Sequence, residues 1–206
     1  SSFVPLLRRM SYLILKRGFD LVFSLVLLVT CALLMAVIAL VVWLDSPGKI
    51  IYTQIRLGYG GKPFTIYKFR SMQQSTAPDD AKWTSENDTR ITRVGHILRL
   101  THLDELPQLF NILAGQMSVV GPRPALWNQD DLIAERDKYG ANSLVPGLTG
   151  WAQANGRDEL PIPVKAELDG YYAKHISFAL DMKILLKTAR GVVKGDGVVE
   201  GGTHGV

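Results

Sequence analysis

Asp104 and Glu105 stand side by side in LTHLDELPQLFN, Leu100–Asn111, just before a proline and an apolar run. Proline is tolerated in the first turn of a helix and costs about 3 kcal/mol inside one. Pro107 therefore predicts a helix through Leu113 that starts between Leu103 and Leu106. Acids at such a start are favoured by the positive end of the helix, and Thr101 and Asp104 have the Thr-x-x-acid spacing of a capping motif. On that reading the pair is structural. On a chemical reading the two carboxylates have different roles, because neighbouring helical residues point about 100° apart and cannot both attack one atom.

Candidate anion-binding groups recur around the pair. Lys68 and Arg70 share one face of an expected strand, and Arg99 precedes the dyad. Arg123 lies between two prolines in GPRP, where a rigid backbone would hold it. Arg157 follows PGLTGWAQANG, whose glycines could let backbone N–H groups approach a phosphate. Each of these, taken singly, also reads as a solvated surface charge. Asp169 and Asp181 add acids on expected helices, and the apolar neighbours of Asp181 suggest burial with a cationic partner. Acids among several fixed cations suit phosphoryl transfer, which depends mostly on positioning and charge neutralisation and usually uses Mg²⁺.

Other chemistries fit less well. GYGGKP lacks the spacing and the hydroxyl residue of a phosphate-binding P-loop, and there is no Gly-x-Ser-x-Gly elbow. His96, His102, His175 and His204 show no zinc spacing, and the single cysteine, Cys31, lies in an apolar run. One cysteine permits no disulfide within the chain. The net charge of +4 favours anionic partners: nucleic acid, anionic lipid or phosphorylated substrates. Trp43, Trp83, Trp127 and Trp151 are scattered and make no stacking platform, and no nucleic-acid-binding module is present, so nucleic acid is not expected.

The elements that must position these groups follow from local pattern. Phe3 to Phe19 mixes apolar residues with Arg8, Arg9, Lys16 and Arg17, as in an amphipathic helix at an anionic membrane surface. Leu21 to Leu44 contains no charge, proline or glycine. As a helix it would run about 36 Å, enough for a bilayer core of about 30 Å, and it exceeds the apolar region of a signal peptide. Both flanks are basic, Arg8 to Arg17 before and Lys49 to Arg70 after, so the positive-inside rule gives no orientation. A segment that enters the membrane and returns on the same side satisfies both flanks; a spanning helix with a second flank made basic for catalysis is the alternative. IIYTQIRLGYGGKPFTIYKFR reads as a β-hairpin around Gly58, Gly60 and Gly61. Gln73 to Arg90 reads as loop, ITRVGHILRL and ELPQLFNILAG as short helices, and SVVGPRPALW as a turn region. NQDDLIAERDKYG reads as a surface helix, VPGLTGWAQANGRDELP as loop, and PVKAELDGYYAKH and FALDMKILLKTARGVVK as helices. The expected organisation is an amphipathic segment and membrane anchor over 1–47, a catalytic domain over 48–195 and a flexible tail over 196–206. Oligomeric state is not legible.

YKFRSM, LDELPQLFNILAGQMSVVGPRP, PGLTGWAQANGR and YYAKHISFALDMKIL, in that order, resemble the motifs of the bacterial sugar transferases, the monotopic phosphoglycosyl transferases. The resemblance runs from about Lys16 to about Asp196 and is to the small form, without the extra N-terminal membrane domain of larger members. It implies a mostly helical α+β fold: a membrane-embedded, re-entrant N-terminal helix and a small cytoplasmic domain with a short β-hairpin and amphipathic interfacial helices. It implies transfer of a phospho-sugar from a UDP-sugar to a polyprenol phosphate at the cytoplasmic face of the bacterial inner membrane, with UMP released, as the first membrane step of glycoconjugate or polysaccharide synthesis. Carried over by position, Asp104 is the nucleophile that forms a covalent aspartyl phospho-sugar, Glu105 is its partner, and Mg²⁺ sits beside both. Lys68, Arg70, Arg99, Arg123, Arg157, Asp169 and Asp181 are expected to bind substrate or phosphate. The sequence departs from the family where Cys31-Ala32 stands in place of the Ser-Pro that usually breaks the membrane helix. A membrane-anchored adaptor without activity is the rival class; it would not need the intact dyad. The sugar is open between an N-acetylated amino sugar and a hexose.

Overall fold

The computed structural model describes residues 3–73, 88–156 and 160–194. A long helix α1 (Phe3–Thr30) is followed after one residue by α2 (Ala32–Asp45). No single described helix is long and apolar enough to cross a membrane, but the pair Met10–Thr30 and Ala32–Asp45, bent by 62°, passes by length and composition. The break falls at Cys31, which has φ −94° and ψ 3°. Thr30 Oγ1 donates to the Val26 carbonyl at 2.8 Å, a back-bond of the kind that bends helices. A bend at Cys31-Ala32 therefore forms without the usual proline.

An antiparallel hairpin follows, as expected. Strand β1 (Ile51–Leu57) pairs with β2 (Pro63–Phe69) from Ile51↔Phe69 to Leu57↔Pro63. The turn between them uses positive φ at Gly60 and Gly61, 63° and 73°, which glycine adopts without a steric penalty. Next come α3 (Arg93–Leu100), a 3₁₀ turn at Leu103–Glu105 and α4 (Gln108–Leu113). The expected turn region contains a short strand, β3 (Ser118–Val120), and the expected loop contains β4 (Gly147–Thr149), which pairs with β3 in parallel. Helix α5 (Asp130–Asp137) lies between these strands in sequence; α6 (Trp151–Gly156), α7 (Ile162–Lys174) and α8 (Phe178–Lys194) follow. The expected tail, 196–206, lies outside the described residues, as does most of the expected Gln73 to Arg90 loop.

Helices α1 and α2 are built into the domain. The main core gathers Ile66, Leu109, Ile112, Met117, Val119, Val120, Tyr172 and Ile184, and α1 packs Phe19, Phe23, Leu27 and Leu28 on it. A second core joins Ile38 and Val42 of α2 to Phe69 and Leu98. Polar contacts fix the same helices. Arg17 donates to the carbonyls of Ile112 and Leu113 at 2.6 and 2.8 Å, at the end of α4 where carbonyls lack a full set of intrahelical partners. Asp20, 3% exposed, accepts from Val119 N at 2.9 Å. Val22, Leu25, Val29, Leu33 and Leu40 remain exposed around the bend, an apolar surface of the kind lipid covers.

Candidate active site

The dyad lies in the 3₁₀ turn, not in the first turn of a longer α-helix. The turn is entered through His102 in the left-handed region, with φ 56° and ψ 15°. A non-glycine residue held there costs on the order of 1–3 kcal/mol, a strain that recurs at functional sites. Thr101 does not cap the turn; its Oγ1 donates back to the Ile97 carbonyl at 2.8 Å and so finishes α3. Pro107 then leads into α4, where its missing N–H is tolerated. Asp104 and Glu105 are 4% and 7% exposed, far from the solvated position of helix-start acids.

Two cations converge on Glu105. Lys68 Nζ, from β2, and Arg123 Nη2, from the loop after β3, each donate to Oε1 at 2.9 Å. Burial opposes ionisation of Glu105, but the charges of Arg123 and Lys68 and the bond from Lys68 outweigh it and hold the carboxyl well below its ordinary range. Glu105 is thus an anion that gathers cations beside Asp104.

Asn111 sets the spacing between α4 and the hairpin. It is fully buried; Nδ2 donates to the Thr65 carbonyl at 2.7 Å and to Gln116 Oε1 at 2.8 Å, and Oδ1 accepts from Tyr67 N at 3.2 Å. Asn111 therefore satisfies an edge of β2 that, among the described residues, no strand covers, bringing Lys68 to the dyad. The GPRP loop is placed by close backbone packing. A Cβ on Gly147 would lie 2.0 Å from Gly121 N, and one on Gly150 would lie 2.2 Å from the Gly121 carbonyl. These glycines thus admit another backbone segment, where the sequence suggested a phosphate. A cavity of about 310 Å³ adjoins this loop, lined in part by Gly58, Gly61, Arg123, Arg136 and Asn142.

The other expected site residues have different surroundings. Arg70 lies beyond the end of β2, and its guanidinium donates to the carbonyls of Val42, Ser46 and Pro47 at 3.2, 2.5 and 2.8 Å. It caps α2, a role the strand-face reading did not anticipate. Arg99 Nε donates to Ser71 Oγ at 3.0 Å. Asp169 is 1% exposed and accepts from Arg136 Nη2 at 2.6 Å. Asp181 accepts from Tyr12 Oη and Tyr172 Oη at 2.6 Å each and from Lys16 Nζ at 2.9 Å, tying α1 to α7 and α8. This meets the expectation of a buried acid with a cationic partner, the partner being Lys16 of α1. Burial and the Asp181 charge push the Tyr172 hydroxyl far above its ordinary pKa, so it remains a donor. Arg157 lies outside the described residues. Asn111 and Arg136 were not singled out in the sequence; the available signals were a lone amide inside the apolar run LFNIL and an arginine at the end of DDLIAER.

Among the described residues, no group of three or more His, Cys, Asp or Glu side chains could hold a metal ion. A protein-only metal cage is therefore not built there. Two adjacent carboxylates do fit Mg²⁺, which is commonly held by one or two carboxylates together with substrate phosphates.

Known proteins resemble this chain along most of its length. The family model described as "Bacterial sugar transferase" matches residues 11–195. A Bacillus subtilis protein named "Uncharacterized sugar transferase EpsL" is 41% identical over 187 residues, covering 90% of this chain and 91% of that protein. A UDP-N-acetylgalactosamine-undecaprenyl-phosphate N-acetylgalactosaminephosphotransferase of Aeromonas hydrophila is 38% identical over 90% of this chain and 45% of its own length. The UDP-glucose:undecaprenyl-phosphate glucose-1-phosphate transferase of Escherichia coli is 38% identical over 85% of this chain and 39% of its own length. The chain thus spans nearly all of one short relative and less than half of these two longer ones. A match that begins in α1 and takes in the dyad, both of its cationic partners and the loops that carry them places the chain in the bacterial sugar transferase family.

Proposed function

We propose that this protein transfers a phospho-sugar from a UDP-sugar to a polyprenol phosphate, with Asp104 as a covalent carrier and UMP as the first product. The observation that carries this reading is the buried Asp104–Glu105 pair with Lys68 and Arg123 converging on Glu105. Relatives named for transfer to undecaprenyl phosphate supply the substrate class.

In the first step a carboxylate oxygen of Asp104 attacks the phosphorus that bears the sugar. The bond from that phosphorus to the bridging oxygen breaks, and UMP leaves with the electron pair. In the second step a phosphate oxygen of the polyprenol phosphate attacks the same phosphorus. The acyl-phosphate bond breaks and the Asp104 carboxylate is regenerated. Covalent catalysis of this kind lets two polyanions use one cationic site in turn. Lys68 and Arg123, held by ionised Glu105, offset the charge of the transferred group. Mg²⁺ held by the dyad and the diphosphate would add further charge neutralisation.

The same reading places the reaction at a membrane surface. Residues on both sides of the bend contact the one domain: Arg17 and Asp20 through α4 and β3, and the end of α2 through Arg70. Both flanks then lie on one side of the bilayer, which supports re-entry. From Leu21 to Cys31 the helix extends about 15 Å at about 1.5 Å per residue, half of a hydrocarbon core of about 30 Å. Relatives named for N-acetylgalactosamine, at 38% and 48% identity, and for glucose, at 38% and 42%, overlap in similarity, so the reading stops at the class of UDP-sugar.

The test is UMP release from a panel of UDP-sugars with a polyprenol phosphate in detergent or vesicles. Wild-type protein should release UMP with at least one sugar, and Asp104→Asn should fall to background. Wild-type turnover in a folded Asp104→Asn variant would remove Asp104 from the chemistry.

A further inference from the structure

The GPRP loop presents its backbone carbonyls to donors from elsewhere in the fold, and four in succession accept hydrogen bonds. The Pro122 carbonyl accepts from Gly147 N at 2.9 Å and the Ala125 carbonyl from Leu57 N at 2.9 Å. The two between them are served by side chains. Arg136 Nη1 donates to the Arg123 carbonyl at 2.9 Å, and Arg56 Nη1 donates to the Pro124 carbonyl at 3.1 Å. Proline has no N–H, so Pro122 and Pro124 cannot hold the loop by donating into a ladder. Gly121 N donates to the Thr149 carbonyl at 2.8 Å at the start of the loop, and beyond it the bonds its carbonyls receive help to fix it.

Arg136 is itself fixed. It is 4% exposed on α5, and its Nε and Nη2 both donate to Asp169 Oδ2, at 2.8 and 2.6 Å. Asp169 belongs to α7. A continuous chain of contacts therefore runs from Asp169 through Arg136 to the backbone of Arg123, and from the Arg123 guanidinium to Glu105. The planar fork of arginine suits this task, because it serves a carboxylate and a carbonyl together with fixed geometry; a lysine ammonium has no such fork.

We propose that Arg136 and Asp169 are positioning residues for phospho-sugar transfer: they hold the backbone of Arg123 so that its guanidinium meets Glu105 and the transferred phosphate. This rests on the active-site reading above and assigns Asp169 a role that does not require contact with substrate. A displacement of about 1 Å in such a group can cost about 100-fold in rate.

A purely structural ion pair between α5 and α7 would also lower activity when broken, so the test is a double-mutant cycle with stability measured alongside. Turnover, KM and thermal midpoint are compared for wild type, Arg136→Lys, Arg123→Ala and the double variant. Arg136→Lys should lower kcat by about 30- to 100-fold, with KM for the polyprenol phosphate changed by less than about threefold. In the Arg123→Ala background the same replacement should change kcat by less than about threefold, because the group it aims is gone. Retention of the full loss in that background, or wild-type kcat in Arg136→Lys alone, overturns the proposal. Where Arg136→Lys does not fold, the cycle is run with Asp169→Asn, which keeps the shape and removes the charge that orients Arg136. Wild-type turnover in Arg123→Ala would instead overturn the active-site reading itself.

Discussion

Lys68→Met separates the cation from the shape it fills. Lys68 is 8% exposed and its ammonium is 2.9 Å from Glu105 Oε1, so methionine replaces most of the buried stem and removes only the charge. Loss of a hydrogen bond to a charged group costs about 1.5–3 kcal/mol. The larger penalty of about 3–5 kcal/mol for an uncompensated buried charge does not apply, because Arg123 still contacts the same oxygen. Catalysis should suffer more than stability. Removing one preorganised group that stabilises developing charge costs about 10²–10³ in kcat, and the transferred phosphate is such a charge. The pH dependence has a definite sign. The folded Glu105 carboxyl lies below its ordinary value of 4.5, so its contribution to stability is fully present above that pH and is lost as pH falls through the depressed value. In Lys68→Met the folded value moves back toward 4.5, so the contribution shrinks and the acid limb of the stability and activity profiles shifts upward. UMP release near neutral pH measures the rate loss, where a tenfold step corresponds to about 1.4 kcal/mol, and thermal unfolding followed from neutral pH down through and well below 4.5 measures the shift of the acid limb. A folded Lys68→Met protein with kcat within about threefold of wild type and an unmoved acid limb would refute the electrostatic role of Lys68.

Arg70→Ala should lower stability by about 2–4 kcal/mol through loss of bonds to three carbonyls at the end of α2, while kcat per folded molecule stays near wild type. A large kcat loss with intact stability would instead return Arg70 to phosphate binding. Exhaustive EDTA treatment should abolish turnover and added Mg²⁺ should restore it; full activity without added metal would argue against a Mg²⁺ requirement. In intact cells, a cysteine introduced at Ser2 in a Cys31→Ser background should stay unreacted with an impermeant thiol reagent until the membrane is opened. Immediate labelling would indicate a spanning helix and overturn re-entry.

The hairpin, α3, α7 and α8 were legible because apolar periodicity and turn glycines are local signals. The strands β3 and β4 were not, because each has three residues and its partner lies far along the chain. Their pairing depends on Gly121 and Gly147 admitting one backbone against another, which no local pattern reports. At the site, the acid pair and the lysine and arginine beside it were visible as residue types, and a four-motif resemblance assigned their roles. Arg70 and Asp181 show what residue type leaves out. Both are buried and charged, yet their partners are helix-end carbonyls and residues of α1. The break at Cys31-Ala32 lacked its expected proline, and the Thr30 back-bond became a physical cause only once the bent backbone was seen.

Isotope exchange tests the covalent step most directly. Purified protein is incubated with the correct UDP-sugar, Mg²⁺ and labelled UMP, with no polyprenol phosphate present. If Asp104 takes the phospho-sugar before the acceptor reacts, the first half-reaction runs alone and in reverse, and label enters the UDP-sugar. Asp104→Asn should show none. A fully active wild-type enzyme that exchanges no label without acceptor would contradict the covalent route and leave a single direct transfer, with Asp104 as base or metal ligand.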